Sequence, residues 1–270
     1  MSRGCRRSAA SQFVLSVVAL SMFPAFLTAQ KWWDAKPYEE WSPAEVNELL
    51  HHSPWVKYCA AGRVVTAVQR TNVAGNPNWG ARTYSGFYVL RLLTARPVRE
   101  ASLRQLSFSE LGLAVDAKSL AGEGTQEARL DRLQGYIRSH PDGLLVQGDP
   151  EHIILCISWS VGNESAPGSR IDHLQQQEMP LPENVRRLQL SDLAPVSLLS
   201  TDGKKKVLLD RFDVEDPMIA KFYFPRMTAD GKLLIADGDK KLRFESRIGK
   251  IKIVAEFQVP TLLWKGRLEF

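Results

Sequence analysis

The chain reads as an α+β protein: N-terminal helices with a small sheet, then a C-terminal antiparallel β-sandwich or open barrel. Three observations predict this. A short helix near residue 45 has both its ends written into the sequence. One strongly apolar run, His152 to Val161, has the composition of a central strand. Beyond residue 185, short alternating segments are separated by Asp-Gly pairs, the mark of antiparallel strands with one wet face.

The helix lies in Trp41-Ser42-Pro43-Ala44-Glu45-Val46-Asn47-Glu48-Leu49-Leu50-His51-His52-Ser53-Pro54-Trp55. Ser42 suits the N-cap, Pro43 the first helical position, and Glu45 can reach back to Ser42 as a capping box. Val46, Leu49 and Leu50 form one apolar face. Pro54 disfavours helix at Ser53 and ends the element. Trp41 and Trp55 bracket it as core anchors.

The first 29 residues are read as a signal peptide. Arg3, Arg6 and Arg7 precede an apolar run from Phe13 to Leu27, and Leu27-Thr28-Ala29 offers a small-residue cleavage site. The alternative is a retained membrane anchor, against which the run is short of the ~20 apolar residues a span needs. The expected location is therefore exported, periplasmic or extracellular. The leader carries three Arg and no acid, so the net charge of +5 falls to +2 without it. So small a surplus gives no argument for nucleic acid. A 44% hydrophobic and 24% charged composition is that of a folded chain.

The remainder divides into 30–161, an α+β portion; 162–184, a linker or long loop rich in Gly, Pro, Ser and Gln; and 185–270, an antiparallel β portion. In the first portion, Trp32, Trp33 and Tyr38 sit in an expected extended segment, either packed as a strap or exposed as a stacking platform. Strands are expected over Val56–Gln69 and Thr83–Thr94, joined by a loop from Arg70 to Arg82. Helices are expected from Pro97 to Leu106, with its charges on an exposed face, and from Glu127 to Ser139. In the last portion, strands are expected over Val196–Ser200, Lys206–Phe212, Ala220–Pro225, Lys232–Ala236, Lys241–Arg247, Ile251–Val259 and Leu262–Phe270.

No residue pattern marks a catalytic, cofactor-binding or metal site. There is no Gly-x-Ser-x-Gly elbow and no phosphate-binding glycine loop. Cys59 and Cys156 lie in apolar strands, where they either pair in an oxidising compartment or stay as buried thiols. His51 and His52 are adjacent on a helix and point about 100° apart. Asp149, Glu151 and His152 read as a turn with a satisfied histidine. Asp213, Glu215 and Asp216, and Asp237-Gly238-Asp239, stop short of a calcium loop. Lys204 to Lys206 and the run Lys240, Lys241, Arg243, Arg247, Lys250 and Lys252 form a basic patch, read as solvated strand faces. Asn163-Glu164-Ser165 matches a glycosylation sequon.

Five motifs span most of the remaining chain: Lys36-Pro37-Tyr38-x-x-Trp41-Ser42, Ser53-Pro54-Trp55, Ala95-Arg96-Pro97-Val98-Arg99-Glu100-Ala101, Phe224-Pro225-Arg226 and Gly266-Arg267-Leu268-Glu269-Phe270. In these the chain resembles a family of uncharacterised secreted bacterial proteins. The resemblance implies export and one evolutionary unit. It carries no activity and no catalytic residue. The expected function is a non-enzymatic periplasmic or extracellular binding or structural module with a protein or glycan partner; the alternative is a secreted hydrolase acting on polysaccharide or peptide.

Overall fold

The computed structural model describes residues 31–71, 77–109, 126–141, 143–162, 177–202, 204–236 and 238–270. Two compact units divide it, Met1–Ala35 and Lys36–Phe270. In the first, a one-turn helix, α1 (Trp32–Ala35), replaces the expected extended segment. Within it the Trp32 and Trp33 rings meet edge to face at 5.3 Å.

The second unit opens with a 3-10 turn, Tyr38–Glu40, and α2 (Pro43–His52). The capping box forms as the sequence predicts. Glu45 N–H donates to Ser42 Oγ at 3.3 Å, and Ser42 N–H donates to Glu45 Oε2 at 2.8 Å. Lys36 Nζ adds an ion pair to the Glu45 carboxylate at 2.7 Å. Burial alone would raise the Glu45 carboxyl, but the bonds from Lys36 and Ser42 outweigh it and hold it below the ordinary range. Val46, Leu49 and Leu50 are buried, and Trp41 and Trp55 are wholly enclosed. Trp41 packs edge to face on Trp264 at 6.1 Å, which fastens the C-terminal segment to the start of the unit.

Two antiparallel sheets follow. The first takes β1 (Val56–Thr71), β2 (Pro77–Leu92), β3 (His152–Gly162), β4 (Gln177–Met179), β7 (Arg211–Asp216) and β8 (Ile219–Pro225). Its order is β1-β2-β3-β8-β7, with β4 also on β3. β3 is central, as its apolar run predicts. The second sheet runs β10-β9-β5-β6, built from β5 (Leu198–Thr201), β6 (Lys205–Leu208), β9 (Lys241–Ile248) and β10 (Ile251–Gln258). The sheets meet through Phe222 and Phe224, whose rings lie 5.6 and 5.9 Å from Phe244. Helices α3 (Arg96–Ser109), α4 (Gln126–Ser139) and the one-turn α5 (Leu144–Gln147) cluster with α2. Two further single turns, α6 (Glu183–Arg186) and α7 (Leu190–Leu193), precede β5, and a two-residue hairpin, β11 (Leu263–Trp264) and β12 (Arg267–Leu268), ends the chain. This is the α+β class, and the described strands form no closed barrel.

Strands from both sides of 162–184 therefore share one sheet, and the described end of that stretch supplies β4. Several local expectations are corrected. Much of the expected loop Arg70–Arg82 is strand, because Pro77 opens β2 opposite Thr71, a position a proline tolerates. The expected strand Lys206–Phe212 breaks in two: Leu209 N–H bonds Ser197 O at 3.2 Å, while Asp210 N–H bonds Tyr223 O at 2.9 Å in the other sheet. Lys232–Ala236 gives only a single bridge, Leu233 to Met227. Cys59 and Cys156 are separate thiols on β1 and β3. With β2 between them, two strand spacings of about 4.8 Å each keep them out of disulfide reach.

The cap makes a direct prediction. Ser42→Ala lowers unfolding free energy by about 1 kcal/mol in urea titrations. The Glu45 carboxyl is depressed in the folded chain, so its contribution is present above the ordinary carboxylate range and is lost as pH falls through its lowered value.

Candidate functional site

A cleft of about 350 Å³ opens where the first turn of α3 meets the 3-10 turn, α4, α5 and the C-terminal segment. Tyr38, Arg96, Arg99, Glu100 and Glu269 supply its polar wall, and Leu103, Ile137, Leu145 and Val146 its apolar wall. Three of the five motifs thus converge here. The backbone explains one of these meetings: Arg96 N–H, at the start of α3, donates to Glu269 O at 3.1 Å.

Glu100 is the most informative member. The sequence places the charges of this helix on a solvated face, but the Glu100 side chain is only 13% exposed, because α2, α4 and α5 all pack against α3. Burial raises its carboxyl above the ordinary value, and the hydrogen bond from Arg96 Nε at 2.7 Å only partly offsets that. Arg96 is pushed up by the same bond. The two shifts read one contact with opposite sign. Arg96 is 51% exposed, so solvent weakens its claim, and the enclosure of Glu100 decides the outcome. Tyr38 stands over the same wall. Burial, then the Glu39 and Glu100 charges, push its hydroxyl up to about 12.

Arg99 builds the floor. Its Nε donates to Thr94 O at 3.3 Å, and its Nη1 to Val146 O at 3.0 Å, a carbonyl at the end of α5. Burial lowers this guanidinium from its ordinary value. Gly148 makes room for it. A Cβ there would sit 3.1 Å from Arg99 Cζ, and its φ of 82° suits glycine alone. From the far side, Arg226 of the Phe-Pro-Arg motif donates through Nε and Nη2 to Asp149 O at 3.0 and 2.8 Å. Arg226 also lines a second cleft, of about 560 Å³, with Ile153, Leu233, Leu268 and Phe270. Leu268 and Phe270 thus face one cleft while Glu269 faces the other, as alternation in an extended chain dictates.

Of the residues singled out from sequence, Tyr38 lines this cleft, while the histidines, the cysteines and the acidic clusters lie elsewhere. Asp149 accepts from Glu151 N–H and His152 N–H, both at 2.8 Å, and His152 sits between Asp149 at 3.2 Å and Asp210 at 3.0 Å. His51 Nδ1 lies 3.2 Å from Tyr58 Oη and 3.4 Å from Arg91 Nη2. Among the described residues no group of three His, Cys, Asp or Glu could hold a metal ion. Burial raises the Cys59 and Cys156 thiols, the opposite of activation. The basic run is matched by acids: Arg243 pairs with Glu245 and Glu256 at 2.8 and 3.0 Å, Lys252 with Glu245 at 3.1 Å. Asn163-Glu164-Ser165, Asp237 and residues 1–29, where a leader is expected, fall outside the described residues. No helix among the described residues is long and apolar enough to cross a membrane. No family model, curated protein or solved structure matches the chain.

Because the folded chain favours neutral Glu100, its ionisation costs stability as pH rises from the ordinary carboxylate range through the raised value. Glu100→Gln is therefore at least as stable as the parent at neutral pH. That advantage vanishes in acid, and urea titrations at the two pH values measure both.

Proposed function

We propose that the chain is an exported, non-enzymatic binding module whose ligand enters the Tyr38–Glu100 cleft. The observation that carries this reading is an enclosed carboxylate facing a concave, half-apolar space with two guanidiniums beside it. Such a wall takes a small body with a cationic or hydroxylated head and an apolar flank. A sugar ring or one basic peptide side chain has that character, and a space of about 350 Å³ accommodates either. Export rests on the Arg3, Arg6 and Arg7 start, the apolar run and the Leu27-Thr28-Ala29 site. The resemblance to secreted bacterial proteins belongs to the same reading.

One observation favours a second reading, a secreted hydrolase acting on polysaccharide or peptide. Glu100 and Glu269 line one cleft, and the carboxyl of the first is raised by burial, as a general acid requires.

Calorimetric titration with monosaccharides, basic amino acids and short basic peptides tests the two together. The binding reading expects at least one ligand to bind without being converted, and Glu100→Gln to weaken it about tenfold, the value of a charge-assisted contact. A ligand whose affinity ignores that substitution contradicts it. Turnover by the parent that disappears in Glu100→Gln moves the assignment to the hydrolase.

A further inference from the structure

The hairpin of β1 and β2 is far longer than the sheet that holds it. Both strands have 16 residues, paired from Val56 with Arg91 to Thr71 with Pro77. β3 pairs only the near half of β2, from Leu92 to Ser85. Among the described residues, the stretch from Arg63 to Tyr84 is bonded strand to strand with itself alone. The junction is marked by a bulge between Ala60 and Gly62, and Gly62, with φ of 113°, stands opposite Gly86. A bulge there bends the ribbon and increases its twist. The outer half is an arm.

A two-stranded arm has no interior. The register places Val64, Val68 and Tyr84 at positions on one face, and Val65, Ala67, Trp79 and Ala81 at positions on the other. Both faces thus carry apolar residues, in an element that is marginal in water by itself. The charge is one-sided as well. From residue 49 to residue 99 the sequence contains no Asp or Glu, while the arm carries Arg63, Arg70 and Arg82. Two such arms repel one another, which argues against self-association. A polysaccharide would answer the arginines, but it would leave the apolar positions of one face in water. A layer that is anionic at its surface and apolar beneath answers both.

We propose that this arm docks the protein on an anionic lipid bilayer, lying in the headgroup layer. Arginines there meet lipid phosphates, and Trp79 and Tyr84 have the amphipathic rings that favour the interface. The ribbon's open edges keep it from crossing the hydrocarbon core, where unpaired backbone groups find no partner. This docking is independent of the cleft, which lies among the helices.

The test uses the full chain, with the same N-terminus in every variant. Co-sedimentation is measured with vesicles of phosphatidylcholine containing phosphatidylglycerol, and with phosphatidylcholine alone. The parent is expected to bind the anionic vesicles, weakening as salt rises, and to bind the neutral ones at least about tenfold less. Arg63→Gln, Arg70→Gln and Arg82→Gln together should cost about a hundredfold, from three surface cations near the headgroups. Trp79→Ala tests the apolar half and should weaken binding with charge unchanged. Far-ultraviolet circular dichroism and the melting temperature of each variant report folding, which the glutamine substitutions should preserve. Equal binding to both vesicle types, parental binding by a folded triple variant, or binding of an anionic polysaccharide in place of vesicles overturns the proposal.

Discussion

A single buried guanidinium ties the architecture together. The Arg91 side chain is 9% exposed, one residue from the C-terminal end of β2. Its Nε donates to Leu50 O at 2.7 Å, satisfying a carbonyl that the last turn of α2 leaves without a helical partner. Its Nη1 donates to Ser158 Oγ of β3 at 2.8 Å, and its Nη2 to Glu178 Oε1 of β4 at 2.6 Å. One side chain thus sets α2, β3 and β4 against β2. A charge in that position is tolerated only if it is paired and hydrogen-bonded, and a helix end, a hydroxyl and a carboxylate do this for Arg91. For Glu178, burial raises the carboxyl, but Arg91, His51 and Ser158 outweigh it and hold it below the ordinary range.

The consequence reaches the helices. Once α2 is seated on the sheet, α3 must pack beside it, and Arg104 secures the join by donating from Nε to Trp41 O at 3.0 Å. The first turn of α3 is then surrounded, and Glu100 is enclosed although it belongs to a run of charges. The cleft is therefore a by-product of packing α4, α5 and the C-terminal segment around the first turn of α3. Its polarity comes from residues that local sequence would place in water.

What was legible in the sequence follows the range of the forces involved. The capping box at Ser42 and Glu45, the stop at Pro54, the α4 boundaries and the central strand β3 depend on neighbours a few residues away, and pattern alone placed them. The split at Leu209 and Asp210 was not legible, because it depends on which sheet each backbone group finds. Arg91 was hidden for a similar reason. An arginine within a strand reads as a solvent-facing residue, and the partners that permit its burial lie 41, 67 and 87 positions away. Glu100, Arg99 and Glu269 were present in the quoted motifs, yet their convergence needed the chain end to pair with Arg96. The motif spacing carried no sign of that contact.

The most direct test of this account is a double-mutant cycle on Arg91 and Glu178, using Arg91→Leu, Glu178→Gln and the pair. The account predicts a coupling of about 1 kcal/mol in urea titrations, near the low end for contacting residues because the Glu178 side chain is 40% exposed. It also predicts that Arg91→Leu costs more than Glu178→Gln, since the arginine alone holds the end of α2. Strictly additive effects, or an Arg91→Leu variant as stable as the parent, would contradict it.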